Sequence, residues 1–216
     1  NGQLESGEVD YSTTFCTNGV VEMLTHMVGS GYTDPASLTV FNNELYFRAY
    51  DATNGYELWK SDGTPSGTGI VAEINPSGNS FPQDLVVFNN ELYFAANDGT
   101  NGKELWKYDG VNAPSMVADI SPGGNSNPYS LTVFNNELYF GAHDGTTNEF
   151  ELWKYDGTTA SMVANINPNA NSYPSYLTVF NNALYFKADD GTNGDELWKY
   201  DGINAPSMVA DIDSGS

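Results

Sequence analysis

Apolar and aromatic residues along this chain come in short runs, separated by clusters of Asn, Gly, Asp, Thr and Pro, and the same order of runs returns four times. One copy reads Leu131-Thr-Val-Phe134, the pair Asn135-Asn136, then Glu137-Leu-Tyr-Phe140. A Gly/Asn/Thr loop from Asp144 to Asn148 follows, then Glu151-Leu-Trp-Lys-Tyr155, Asp156-Gly157 and Ser161-Met-Val-Ala-Asn-Ile166. Runs this short, rich in aromatic and β-branched residues and bounded by turn formers, predict strands. Asn-Asn tolerates positive φ, as a two-residue hairpin turn requires. Each copy therefore predicts four antiparallel strands, a to d, and no segment shows the period of an amphipathic helix. Strands a and b carry apolar residues on both faces (Leu131 and Val133 on one, Phe134 on the other), as in a sheet covered on both sides.

Trp59, Trp106, Trp153 and Trp198 mark the repeat, 45 to 47 residues apart. Four-stranded antiparallel units covered on both faces predict an all-β fold, a β-propeller whose blades pack between neighbours. A linear β-repeat array is the alternative; its parallel coils disagree with tight Asn-Asn hairpins. The boundaries fall at 35–81, 82–127, 128–173 and 174–216, within one domain over 1–216. The segment 1–34 keeps the phase of the repeat: Asn1-Gly-Gln-Leu4 matches the turn and strand b, Phe15-Cys-Thr-Asn-Gly19 matches Trp-Lys-Tyr-Asp-Gly, and Met23 to Met27 falls on strand d. It reads as a diverged blade lacking strand a. The expectation is five blades, the first incomplete, with an unpaired edge at Gln3, Leu4 and Glu5. Unpaired backbone groups there would cost about 1–3 kcal/mol each where water is excluded. A strand from a longer chain or from a neighbouring molecule would fill the gap, and head-to-tail donation builds a filament.

Charge narrows the partners. The formal net charge is −21, from 28 acids against 7 bases among 216 residues. Nucleic acid and anionic membranes demand clustered Lys and Arg, so neither is expected as a partner. No apolar run approaches the roughly 18 residues that span a bilayer. Cys16 is the single cysteine, which leaves no intrachain disulfide. No signal peptide, initiator Met or Asn-x-Ser/Thr sequon is present; the chain reads as processed or as a window of something longer.

Glu-Leu-Trp-x-x-Asp-Gly-Thr stands whole at Glu57 to Thr64 and Glu151 to Thr158, and recurs without the Thr at Glu104 to Gly110 and Glu196 to Gly202. With Leu-Tyr-Phe before it and Val-Ala-x-Ile after it, the chain resembles the bacterial ELWxxDGT repeat family over Pro35 to Ile212. The resemblance implies a propeller-like fold in large secreted or surface-attached proteins and implies no catalytic residues. The unit before Pro35 departs from the motif.

Few residues suggest chemistry. The b–c loops pair Asp51 with Glu57, Asp98 with Glu104, Asp144 with Glu151 and Asp190 with Glu196. Carboxylates in a Gly-rich loop are calcium ligands in principle, although the spacing matches no EF-hand; the alternative is an Asx-turn capping its own backbone. The four tryptophans read as structural core, since burying each removes roughly 150–250 Å², with sugar stacking as the alternative. Tyr108, Tyr155 and Tyr200 are taken as exposed and so as possible glycan contacts. His26 and His143 lie in different units, and the acids form repeated sets, so no zinc site, glycosidase pair or nucleophile elbow is expected. The reading is an extracellular, non-enzymatic structural protein that associates with itself into a fibre or surface layer. A multivalent lectin or adhesin with one site per blade is the alternative.

Overall fold

A computed structural model describes residues 33–145 and 150–212. The expected blade over 1–34, and with it the edge at Gln3, Leu4 and Glu5, lies outside the described residues except for Thr33 and Asp34. The rest is all-β, as the pattern predicts, in four four-stranded antiparallel sheets. Blade 1 holds β1 (Ala36–Phe41), β2 (Glu44–Asp51), β3 (Gly55–Ser61) and β4 (Gly69–Ala72). Blade 2 holds β5 (Gln83–Phe88), β6 (Glu91–Asn97), β7 (Lys103–Tyr108) and β8 (Ser115–Ala118). Blade 3 holds β9 (Tyr129–Phe134), β10 (Glu137–Ala142), β11 (Glu151–Tyr155) and β12 (Ala160–Ala164). Blade 4 holds β13 (Ser175–Phe180), β14 (Ala183–Asp189), β15 (Asp195–Tyr200) and β16 (Ser207–Ala210). Strands neighbour one another in chain order within every blade.

Local chemistry explains this regularity. The pairs Asn42-Asn43, Asn89-Asn90, Asn135-Asn136 and Asn181-Asn182 all have positive φ, between 45° and 62°. Two consecutive left-handed residues match the twist of the flanking strands, so each pair fixes an a–b hairpin. Those hairpins set the register Phe41↔Glu44 in blade 1 and Phe180↔Ala183 in blade 4. Each innermost strand also carries one bulge, where Ser37, Asp84, Ser130 and Tyr176 reach φ of 54° to 57°.

Because side chains alternate across a strand, every blade has two faces. The forward face of blade 1 (Phe41, Tyr46, Leu58, Ile74) packs on the rear face of blade 2 (Leu92, Phe94, Ala96, Trp106, Tyr108). Blade 2 repeats this with blade 3, through Phe88, Tyr93, Leu105 and Ile120. Blade 3 repeats it with blade 4, through Phe134, Tyr139, Leu152 and Ile166. The innermost strands β1, β5, β9 and β13 touch in succession. The c–d turns add a cap. A Cβ built on Gly110 would lie 2.8 Å from Asn42 Nδ2 and 3.4 Å from the Phe41 ring; one on Gly202 would lie 2.7 Å from Asn135 Nδ2. The Gly of each following blade thus sits on the a–b turn of the blade before it. A Cβ built on Gly63, in the c–d turn of blade 1, would meet nothing within 4 Å among the described residues.

Candidate functional site

The carboxylates that the sequence offers as calcium ligands have other roles. Glu57, Glu104 and Glu151 are 0% exposed and Glu196 is 5% exposed. Glu57 accepts hydrogen bonds from the N–H groups of Ile74 (2.9 Å), Asn75 (3.4 Å) and Ser80 (3.2 Å) and from the Ser80 hydroxyl (2.5 Å). Glu104 accepts from Ile120 and Ser126, and Glu151 from Ile166, Asn167 and Ser172, in the same way. Burial pushes the Glu57 and Glu104 carboxyls up, against the opposing pull of their Ser and N–H donors. In the b–c loops, Asp51 Oδ1 accepts from the N–H of Thr53 (2.7 Å) and Asn54 (2.8 Å), and its Oδ2 accepts from Asn54 Nδ2. Asp98 and Asp190 form the same Asx-turn with Asn101 and Asn193. Asp144 occupies the matching loop position and is also engaged.

Partial positive charge from N–H and O–H groups thus surrounds these oxygens, which is the opposite of what a cation requires. No cluster of three or more His, Cys, Asp or Glu able to hold a metal occurs among the described residues. The calcium expectation gives way to the Asx-turn and to a buried Glu that latches each blade to the connection leading into the next.

The glycan expectation for Tyr108, Tyr155 and Tyr200 is also corrected. They are only 7%, 5% and 7% exposed. Each lies two residues beyond a buried Trp and so shares its rear face. Their rings pack 5.8 to 5.9 Å from Tyr46, Tyr93 and Tyr139 of the preceding blade. Trp59, Trp106, Trp153 and Trp198 are each 9% exposed, as core residues should be. Their Nε1 atoms meet no protein acceptor among the described residues.

The feature that stands apart is the forward face of blade 4. Phe41, Phe88 and Phe134 are each 3% exposed, whereas Phe180 at the same position is 59% exposed. Leu58, Leu105 and Leu152 are 0% exposed against 39% for Leu197, and Ile74, Ile120 and Ile166 are 9% exposed against 75% for Ile212. Tyr176, Tyr185, Asp195, Leu197 and Ile212 line a cavity of about 330 Å³ on this face. Its polar rim differs too. In blades 1 to 3 a Glu at the start of strand b accepts from the Tyr of the same strand and from the Lys of strand c. These sets are Glu44 with Tyr46 and Lys60, Glu91 with Tyr93 and Lys107, and Glu137 with Tyr139 and Lys154. Blade 4 has Ala183 there. Tyr185 and Lys199 still face each other across the β14–β15 pair. Arg48, Lys60, Lys107, Lys154 and Lys187 are ion-paired, and Lys103 donates to Gln83. Lys199 is the basic side chain left without a partner among the described residues.

Solved structures match this arrangement of blades. The β-propeller domain of the Trilobed protease from Pyrococcus furiosus, described as having an open velcro topology, matches with a TM-score of 0.55 at 11% identity, over 81% of this chain and 54% of that one. A Mycobacterium tuberculosis puromycin-hydrolyzing peptidase matches with a TM-score of 0.59 at 10% identity, over 84% of this chain and 30% of that one. A Pyrococcus horikoshii acylaminoacyl peptidase matches with a TM-score of 0.55 at 12% identity, over 82% and 27%. The fold is a β-propeller. The chain spans about half or less of each of these chains, and at such identities the likeness carries the fold alone. No family model and no curated protein matches the sequence.

Sequence reasoning missed the latch glutamates and the open face. The recurrence of Glu and Ser some 21 to 23 residues apart (Glu57 and Ser80, Glu104 and Ser126, Glu151 and Ser172) was the available signal for the first. Ala183 in a row of glutamates was the signal for the second.

Proposed function

We propose that this chain is an extracellular, non-enzymatic structural repeat protein that associates with itself into a fibre or surface layer. One observation carries the reading: an apolar face that is buried three times inside the molecule is left open a fourth time, on blade 4. An exposed apolar patch rimmed by polar residues marks an interaction surface. The repeated side chains that might have bound ions or sugars serve as turn caps, latches and packing between blades, which favours a scaffold over a lectin with one site per blade. The resemblance to the ELWxxDGT repeats and the net charge of −21 support a surface location. Strand donation at Gln3 to Glu5 remains part of the proposal.

Negative-stain electron microscopy of undiluted protein, with sedimentation velocity over a hundredfold concentration range, tests this. Open-ended particles that grow with concentration are expected. A single monomeric species at every concentration would refute it.

A further inference from the structure

We infer that the open forward face of blade 4 receives the c–d turn of blade 1, Asp62-Gly63-Thr64, from a second copy of the chain. This inference rests on the self-association proposed above and assigns it a pair of surfaces.

The internal interfaces supply the template. Within the chain, the Gly of a c–d turn lies over the a–b turn of the preceding blade: Gly110 on Phe41 and Asn42, Gly157 on Asn89, Gly202 on Phe134 and Asn135. Two members of this series have no counterpart. Phe180 leads into the a–b turn Asn181-Asn182 and is uncovered, and a Cβ built on Gly63, in the c–d turn of blade 1, would meet nothing within 4 Å among the described residues. Socket and knob lie on different blades, and both keep the residues that make the contact elsewhere in the molecule. Joining them between copies repeats the turn-on-turn part of a contact already built three times.

Charge favours the same occupant. Tyr185 and Lys199 stand opposite each other across the β14–β15 pair, and Ala183 deprives them of the carboxylate their counterparts have. Asp62 is exposed and would bring a carboxylate to that rim. A chain with 28 acids and 7 bases has few places that attract its own copy, and this is one. Phe47, Ala49 and Trp59, on the rear face of blade 1, are themselves buried, so the copy offers its turn rather than its sheet. Because knob and socket are different surfaces, the contact is heterologous, and repeated head-to-tail it runs on as a fibre unless the rotation closes a ring.

Two single variants of the full chain test this. Gly63→Asn puts the side chain that best bears a positive φ at a turn residue with φ of 91° and adds it where a Cβ meets nothing within 4 Å among the described residues; circular dichroism and urea unfolding of the variant check that it keeps the fold. Phe180→Asp places a charge at an already exposed position. In sedimentation velocity each variant alone is expected to stay monomeric at concentrations at least tenfold above those where the wild type associates. Mixed in equal amounts they should form a one-to-one pair and nothing larger, since one retains the socket and the other the knob. If the wild type forms fibres and either variant does so equally well, this pair of surfaces is wrong while self-association stands. A mixture that remains monomeric overturns the pairing. A wild type that never associates overturns both proposals.

Discussion

Blades 3 and 4 present nearly the same forward face to different surroundings. Phe134, Leu152 and Ile166 of blade 3 are 3%, 0% and 9% exposed, because the rear face of blade 4 lies on them; Phe180, Leu197 and Ile212 of blade 4 are 59%, 39% and 75% exposed. The strand order, the Asn-Asn a–b turn and the register of the a–b pair are the same. The comparison shows that a blade makes its hydrogen-bonded sheet by itself but makes a core only with a neighbour. Covering the open face would bring each large apolar side chain the share of about 1.5–3 kcal/mol that its exposed fraction represents. A difference of sequence accompanies the difference of exposure: Glu137 of blade 3 corresponds to Ala183 of blade 4.

The sharpest way to break this comparison is to truncate equivalent leucines. Leu152→Ala opens a cavity between two blades and is expected to cost about 2–5 kcal/mol. Leu197→Ala should cost under about 1 kcal/mol in the monomer, because part of that surface is already wet. Urea denaturation of both variants measures the contrast, and equal losses would mean that the blade 4 face is covered in the free chain. The latch comes next. Glu104→Gln puts an amide where a buried carboxylate takes hydrogen bonds from Ile120 and Ser126, and should cost about 2–3 kcal/mol. Glu196→Gln, at a carboxylate bonded to Ile212, should cost about 1 kcal/mol or less in the same assay.

A gain is expected from Ala183→Glu. The new carboxylate restores the acceptor for Tyr185 and Lys199 and should stabilise the monomer by up to about 1 kcal/mol, an effect that fades in high salt. Thermal melts at two ionic strengths would show it.

The smallest contrast is with pH, because blades 3 and 4 share the turn aspartates. In blade 3, N–H donors from Thr159 and Thr158 hold the Asp156 carboxyl below its usual range. In blade 4, the Asn204 side chain, then the N–H groups of Asn204 and Ile203, hold Asp201 down to about 2. A carboxyl lowered by folding contributes stability above its unfolded pKa of about 4 and loses it as pH falls through the folded value. Asp201 should therefore lose its contribution progressively as pH falls from about 4 to about 2, and an NMR titration of the carboxyl resonances would place its folded value at the lower end of that window. Glu57 and Glu104 act in the reverse sense: raised by burial, they favour folding more below their folded pKa than above it.

Much of the fold was legible because its signals are local. Asn-Asn pairs, Asp-Gly turns and aromatic runs each act over a few residues, and together they predict the four strands of each blade. The tyrosines show where the reading stopped one step short. Trp106 and Tyr108 stand two apart on one strand, so a tryptophan read as core carries the tyrosine with it. The latch was harder to read, since Glu is a surface residue by habit and its partners stand some 15 to 23 positions away. The open face was least legible, for exposure depends on what lies beside a blade and not on the blade.

The buried glutamates also bear on how such a chain finds its native order. Four almost interchangeable units invite swaps, in which a strand joins the wrong copy. A carboxylate that grips a serine 21 to 23 residues downstream can be satisfied most quickly by its own chain, because the loop to be closed is short. Each latch thereby favours the correct successor over its look-alikes.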